Sequence, residues 1–89
     1  MSQKITLRTV GEGWQVVRLD NRLIGRFRVF EGLEPPVLAT LYLGVVQDVP
    51  EYSQIGYFKD SLKAQRAIVV RHFKLIEEGR FRPFRQART

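Results

Sequence analysis

The stretch Gly56-Tyr57-Phe58-Lys59-Asp60-Ser61-Leu62-Lys63-Ala64-Gln65-Arg66-Ala67-Ile68-Val69-Val70-Arg71-His72-Phe73-Lys74-Leu75-Ile76-Glu77-Glu78-Gly79 contains, in order, a strand end, a helix start, one long helix and a stop. Asp60 or Ser61 can accept a hydrogen bond from the first free backbone N–H groups, as helix caps do. At 100° per residue, Leu62, Gln65, Ile68, Val69, His72, Phe73, Leu75 and Ile76 share one arc. Lys63, Arg66, Arg71, Lys74, Glu77 and Glu78 share the other. That segregation predicts an amphipathic helix over residues 61–78 with a broad buried face. Gly79 suits the residue just past its C-terminus. A helix with such a face needs a sheet beneath it, and the preceding residues read as strands.

Lys4 to Val10 alternates with period two, with Ile5, Leu7 and Thr9 on one face and Lys4, Thr6 and Arg8 on the other. This pattern predicts a half-buried strand. Gly11-Glu12-Gly13 reads as a turn, and Trp14 to Leu19 as a second strand. Asp20-Asn21 is a good two-residue hairpin loop, because both residues tolerate the left-handed region. A third strand follows from Arg22 to about Phe30. Pro35-Pro36 cannot donate to a ladder, so residues 31–36 read as a loop. Val37 to Leu43 is apolar on both faces, which suits a central strand or one buried by another chain. Gln47 to Ser53, with Pro50, reads as an acidic loop, and Gln54 to Phe58 as a short fifth strand. Ile24-Gly25-Arg26-Phe27 is echoed by Ile55-Gly56-Tyr57-Phe58. A strand glycine in such a place marks a bulge or a close backbone approach, and a duplicated hairpin is the other reading.

The expected fold is therefore α+β: a small antiparallel sheet of four or five strands, covered on one face by a single long C-terminal helix. Residues 1–79 form one domain and residues 80–89 a basic C-terminal tail. The core expected from the two periodicities is Ile5, Leu7, Val17, Leu19, Phe27, Leu41, Phe58, Leu62, Ile68, Val69, Phe73 and Ile76. A chain of 89 residues buries only about 60–65% of the surface its unfolded form exposes, so its core is thin and a partner would help it. The chain has no cysteine, which excludes disulfides and thiolate metal sites. After Lys4 it alternates apolar and polar, with no signal-peptide run, and Leu41 to Val46 falls far short of the roughly 20 residues of a membrane span. The expected location is cytoplasmic, without membrane contact.

Charge is unevenly placed. Residues 1–30 carry net +4, residues 31–58 net −4 and residues 59–89 net +6, and eleven of the fifteen bases are arginine. Arginine is suited to phosphate forks and to stacking. This asymmetry points to a polyanion or to self-association.

Catalytic constellations are missing from the sequence. The single histidine, His72, lies on the apolar arc of the helix, where packing is its expected role. Glu77 and Glu78 are adjacent and point about 100° apart, so they form no dyad. Gly11-x-Gly13 lacks the third glycine of a dinucleotide loop. No enzyme activity, no catalytic residue, no cofactor and no metal is expected.

Three groups of bases remain as binding candidates. Arg8, Arg18, Arg26 and Arg28 fall on one face of the sheet, away from the helix, with Trp14 in step with them unless it is drawn into the core, its commoner place. Lys63, Arg66, Arg71 and Lys74 lie on the outer face of the helix. Arg80, Arg82, Arg85 and Arg88 alternate with Phe81 and Phe84 in the tail.

Strands followed by Ile55-Gly56-Tyr57-Phe58-Lys59-Asp60-Ser61-Leu62-Lys63-Ala64-Gln65-Arg66-Ala67-Ile68 resemble the end of the three-stranded, helix-backed DNA-binding module of Apetala-type factors and integrase arm-binding domains. Gly56, Phe58, Ala64 and Ala67 would take the packing roles of that module. The resemblance implies groove recognition by Arg8, Arg18, Arg26 and Arg28. The expected function is that of a small nucleic-acid-binding accessory protein of phage or plasmid type, with DNA the first polyanion. The alternative is a protein-binding adaptor or inhibitor acting through the apolar fourth strand and the acidic middle. A homodimer through Val37–Leu43 fits either.

Overall fold

The computed structural model describes residues 3–79. Five strands, β1 (Ile5–Thr9), β2 (Gln15–Leu19), β3 (Arg22–Val29), β4 (Val37–Val46) and β5 (Val49–Phe58), precede one helix, α1 (Ser61–Glu77). Every neighbouring pair is antiparallel and the spatial order is the sequence order, β1-β2-β3-β4-β5. The α+β class and the helix are as the sequence predicts. Asp60 Oδ1 accepts from the Lys63 N–H at 2.9 Å and caps α1. Gly79 ends it with φ +71°, its N–H donating to the Ile76 carbonyl. No described helix is long and apolar enough to cross a membrane.

Sequence and structure differ most at β4 and β5. The expected acidic loop at 47–53 is instead a two-residue turn, Gln47–Asp48, with φ of 52° and 66°. It has the geometry of the Asp20–Asn21 turn, with φ of 52° and 70°. β4 therefore continues to Val46 and β5 starts at Val49, with Pro50 on the sheet edge, where a missing N–H breaks no ladder bond. β4 is interior, with β3 and β5 on its two edges, and residues on both of its faces are buried: Ala39 and Leu41 toward α1, Thr40 and Tyr42 on the other side.

Two strand bulges explain the Ile-Gly echo. Val17 pairs with Gly25 and Arg18 with Leu23, leaving Ile24 as the extra residue. Ala39 pairs with Gly56 and Thr40 with Gln54, leaving Ile55 extra. Each bulge turns an isoleucine toward α1: Ile24 is fully buried in the core, and Ile55 packs against it. A bulge also bends its strand and tightens the local twist.

The position of α1 is set by small residues. A methyl group added at Gly25 would lie 2.6 Å from Ile68 Cγ2 and 2.5 Å from the Thr40 carbonyl oxygen. The helix thus rests on bare backbone at Gly25, with fully buried Ala39 and Ala64 at the same contact. Its buried line is Ala64, Ile68, His72 and Leu75. Burying a side chain such as Ile68 is worth about 1.5–3 kcal/mol.

This line corrects the expected core. Val17, Leu19, Phe27, Leu41 and Ile68 are buried as expected, and Phe58 and Val69 pack against the core from its rim. Leu62, Phe73 and Ile76 are exposed on the flank of the helix, and Ile5 and Leu7 are exposed on β1. The cause is geometric. α1 packs on β3, β4 and β5, and a helix roughly 10 Å wide cannot also cover β1. His72 is buried, as the sequence predicts, and burial, with Arg22 nearby, lowers its pKa from the ordinary value.

Gly25→Ala tests the contact, because backbone conformation at Gly25 is ordinary and space alone is limiting. Overpacking of this kind costs about 1–3 kcal/mol. The expected outcome is a melting temperature lower by several degrees, and an unchanged melting curve would mean that Ile68 does not sit on Gly25.

Candidate functional site

The strand registers assign every side chain of the face turned away from α1. One row crosses the whole sheet: Arg8 beside Val16, then Arg26, Thr40 and Gln54. On one side of it stand Thr6, Arg18 and Leu23, and on the other Arg28, Leu38 and Tyr57. Tyr42 and Tyr52 pair between β4 and β5. No acidic residue occupies any of these paired positions.

Arg26 is the centre of the face. Its guanidinium carbon lies 4.2 Å from the centroid of the Trp14 ring and 4.0 Å from that of Tyr52. Both are within cation–π range. Tyr52 in turn meets Tyr42 with ring centroids 5.6 Å apart. Arg28 repeats the arrangement over Phe30, at 4.7 Å. Thr40 is buried between these groups, and its hydroxyl donates to the Arg26 carbonyl at 3.3 Å. Arg26 Nε is buried without a hydrogen-bond partner among the described residues. The charge of Arg26 is therefore offset by ring faces. Burial raises the pKa of the Tyr52 phenol, against which the charges of Arg26 and Arg18 pull.

The structure brings Arg8, Arg18, Arg26 and Arg28 to one face, with Trp14 beside them. Trp14 is not a core residue: it is half-buried and stacks on Arg26 on the open face. It follows the parity of Val16, which pairs with Arg26, and parity directs it away from the helix. Lys63 and Arg66 lie elsewhere, exposed on α1 on the opposite side of the sheet. Arg71 and Lys74 are on that side too, at the mouth of a cleft of about 290 Å³ between the end of α1 and β4–β5. Arg80, Arg82, Arg85 and Arg88 lie outside the described residues.

Sequence reasoning missed Tyr52 and Tyr42 as members of the face. The available signal was Gln47–Asp48 flanked by valines. Read as a hairpin turn, it would have carried the pairing back to Tyr42 and Tyr52.

No protein-family model matches the chain, and no curated protein or solved structure does either.

Removing the guanidinium tests the cluster. Trp14 is the single tryptophan, so its fluorescence reports on the site alone. Arg26→Ala should shift its emission to the red and increase quenching by iodide. It should also cost roughly 1–3 kcal/mol of stability through two lost ring contacts and the packing of the side-chain stem. Unchanged emission would contradict the stacked arrangement.

Proposed function

We propose that the open face of the sheet binds single-stranded nucleic acid, and that the protein is a non-enzymatic binding module. The observation that carries this reading is the interleaving of Arg8, Arg18, Arg26 and Arg28 with the rings of Trp14, Tyr52 and Phe30 on a face whose paired positions hold no acid. Arginine neutralises phosphates and stacks on bases, and aromatic rings offer the sequence-tolerant platforms that single strands use.

Shape favours a single strand over the groove recognition that the resemblance implies. Five strands spaced about 4.8 Å apart make a face roughly 20 Å wide. The major groove of B-form DNA is about 12 Å wide and admits a helix or a narrow ribbon. A single strand can instead cross the strands, with phosphates along the arginines and bases on the rings.

The adaptor alternative rests on two features, the acidic segment of residues 31–58 and the two-sided apolar strand Val37–Leu43. Backbone pairing there is closed, because β3 and β5 fill both edges of β4. A dimer that adds a strand to β4 is closed for the same reason.

A titration of Trp14 fluorescence with single-stranded DNA, single-stranded RNA and duplex DNA at several salt concentrations tests the reading. The expected result is quenching by single strands, tighter binding of them than of duplex, and a log–log salt slope of about −0.7 for each phosphate neutralised. Trp14→Ala should lose about 1–3 kcal/mol of binding, the worth of one stacked base. Lys63→Ala with Arg66→Ala should leave binding nearly unchanged. Preference for duplex, or binding without any response at Trp14, would contradict the proposal.

A further inference from the structure

The two edges of the sheet are built differently. β5 carries Pro50 and the Ile55 bulge, two devices that hinder the addition of a further strand. β1 has neither. It is paired with β2 in unbroken register, and among the described residues no strand lies beyond it.

The phase of the β1–β2 ladder shows what that edge offers. Asp20 N–H donates to the Lys4 carbonyl and Val10 N–H to the Trp14 carbonyl, both at 2.9 Å. Hydrogen-bonded and non-hydrogen-bonded pairs alternate along an antiparallel ladder. With the observed register, Lys4, Thr6, Arg8 and Val10 therefore turn their backbone groups toward β2. Ile5, Leu7 and Thr9 turn their N–H and C=O groups off the sheet. The side chains of Ile5 and Leu7, on the α1 side but beyond its reach, are 39% and 45% exposed.

We infer that β1 is the docking edge for a second copy of the chain, joined antiparallel about a two-fold axis at Leu7. β1 is complementary to itself in this register. Leu7 faces Leu7 of the second copy, and Ile5 faces Thr9, so all three outward-pointing residues fall in hydrogen-bonded pairs. The charges are compatible as well: Arg8 stands opposite Thr6, and Lys4 opposite Val10, so no base faces a base. The two leucines meet on the helix side and remove each other's exposed surface from water, a favourable term. The five-stranded sheets become one continuous sheet, with both helices on one side and both Arg26 clusters on the other. The inference is independent of what the open face binds.

Sedimentation equilibrium of the full chain, with circular dichroism as the check on folding, tests it. The native chain should be a dimer at micromolar concentration. Leu7→Pro removes an N–H that points off the sheet and breaks no bond within one chain. It should give a folded monomer. Should proline unfold β1, Leu7→Lys serves in its place, because it keeps the backbone and sets two like charges against each other at the axis. At least a tenfold weaker dimer is the supporting result. A native chain that stays monomeric at high micromolar concentration overturns the inference. So does a dimer that Leu7→Lys leaves as tight as the native one.

Discussion

The contact of Ile68 with the bare backbone at Gly25 determines where everything else can go. Any side chain at position 25 would push the helix off the sheet, and Ala39 and Ala64 keep the rest of the contact shallow. With α1 held over β3, β4 and β5, one side of those strands is sealed by the apolar core and the other is left to solvent. β1, and the flank of α1 carrying Phe73 and Ile76, fall outside the cover. A covered face, an open face and an unfinished edge all follow from where one helix rests.

The open face is stabilised by a different chemistry. A second apolar layer there would have demanded another helix or sheet. Instead Arg26 lies between Trp14 and Tyr52, and Arg28 lies on Phe30. These contacts give the sheet some packing on its outer side while keeping positive charge on it. The same arginines thus serve the fold and the proposed binding, so their substitution affects stability and affinity together. The single-stranded reading is for this reason tested through Trp14 and through the helix bases as well as through the arginines.

Much of the architecture was legible in the sequence because the periodicities are strong. The alternation in residues 4–10 and 14–30 placed the first three strands within one or two residues, and Asp60 and Gly79 marked the helix ends. The four arginines of the open face followed from the same alternation. The failures have identifiable causes. Pro50 read as a loop breaker because an edge strand that tolerates it cannot be distinguished by composition. Its misreading hid Tyr52. The buried helix arc was read with Leu62, Phe73 and Ile76 in it and Ala64 left out, because hydrophobicity scores those three above Ala64. The contact is in fact decided by close approach, where small residues win. Trp14 has the size of a core residue, and only strand parity reveals that it faces outward.

Backbone and side-chain amide shifts of the labelled protein, followed by NMR during addition of a short single-stranded oligonucleotide, test most directly whether the two faces have separate roles. The account predicts that the Trp14 indole N–H and the amides of Arg18, Arg26, Thr40 and Tyr52 move first and furthest, while Lys63, Arg66 and Lys74 on α1 stay in place. Shifts concentrated on those helix residues, with Trp14 unmoved, would contradict it.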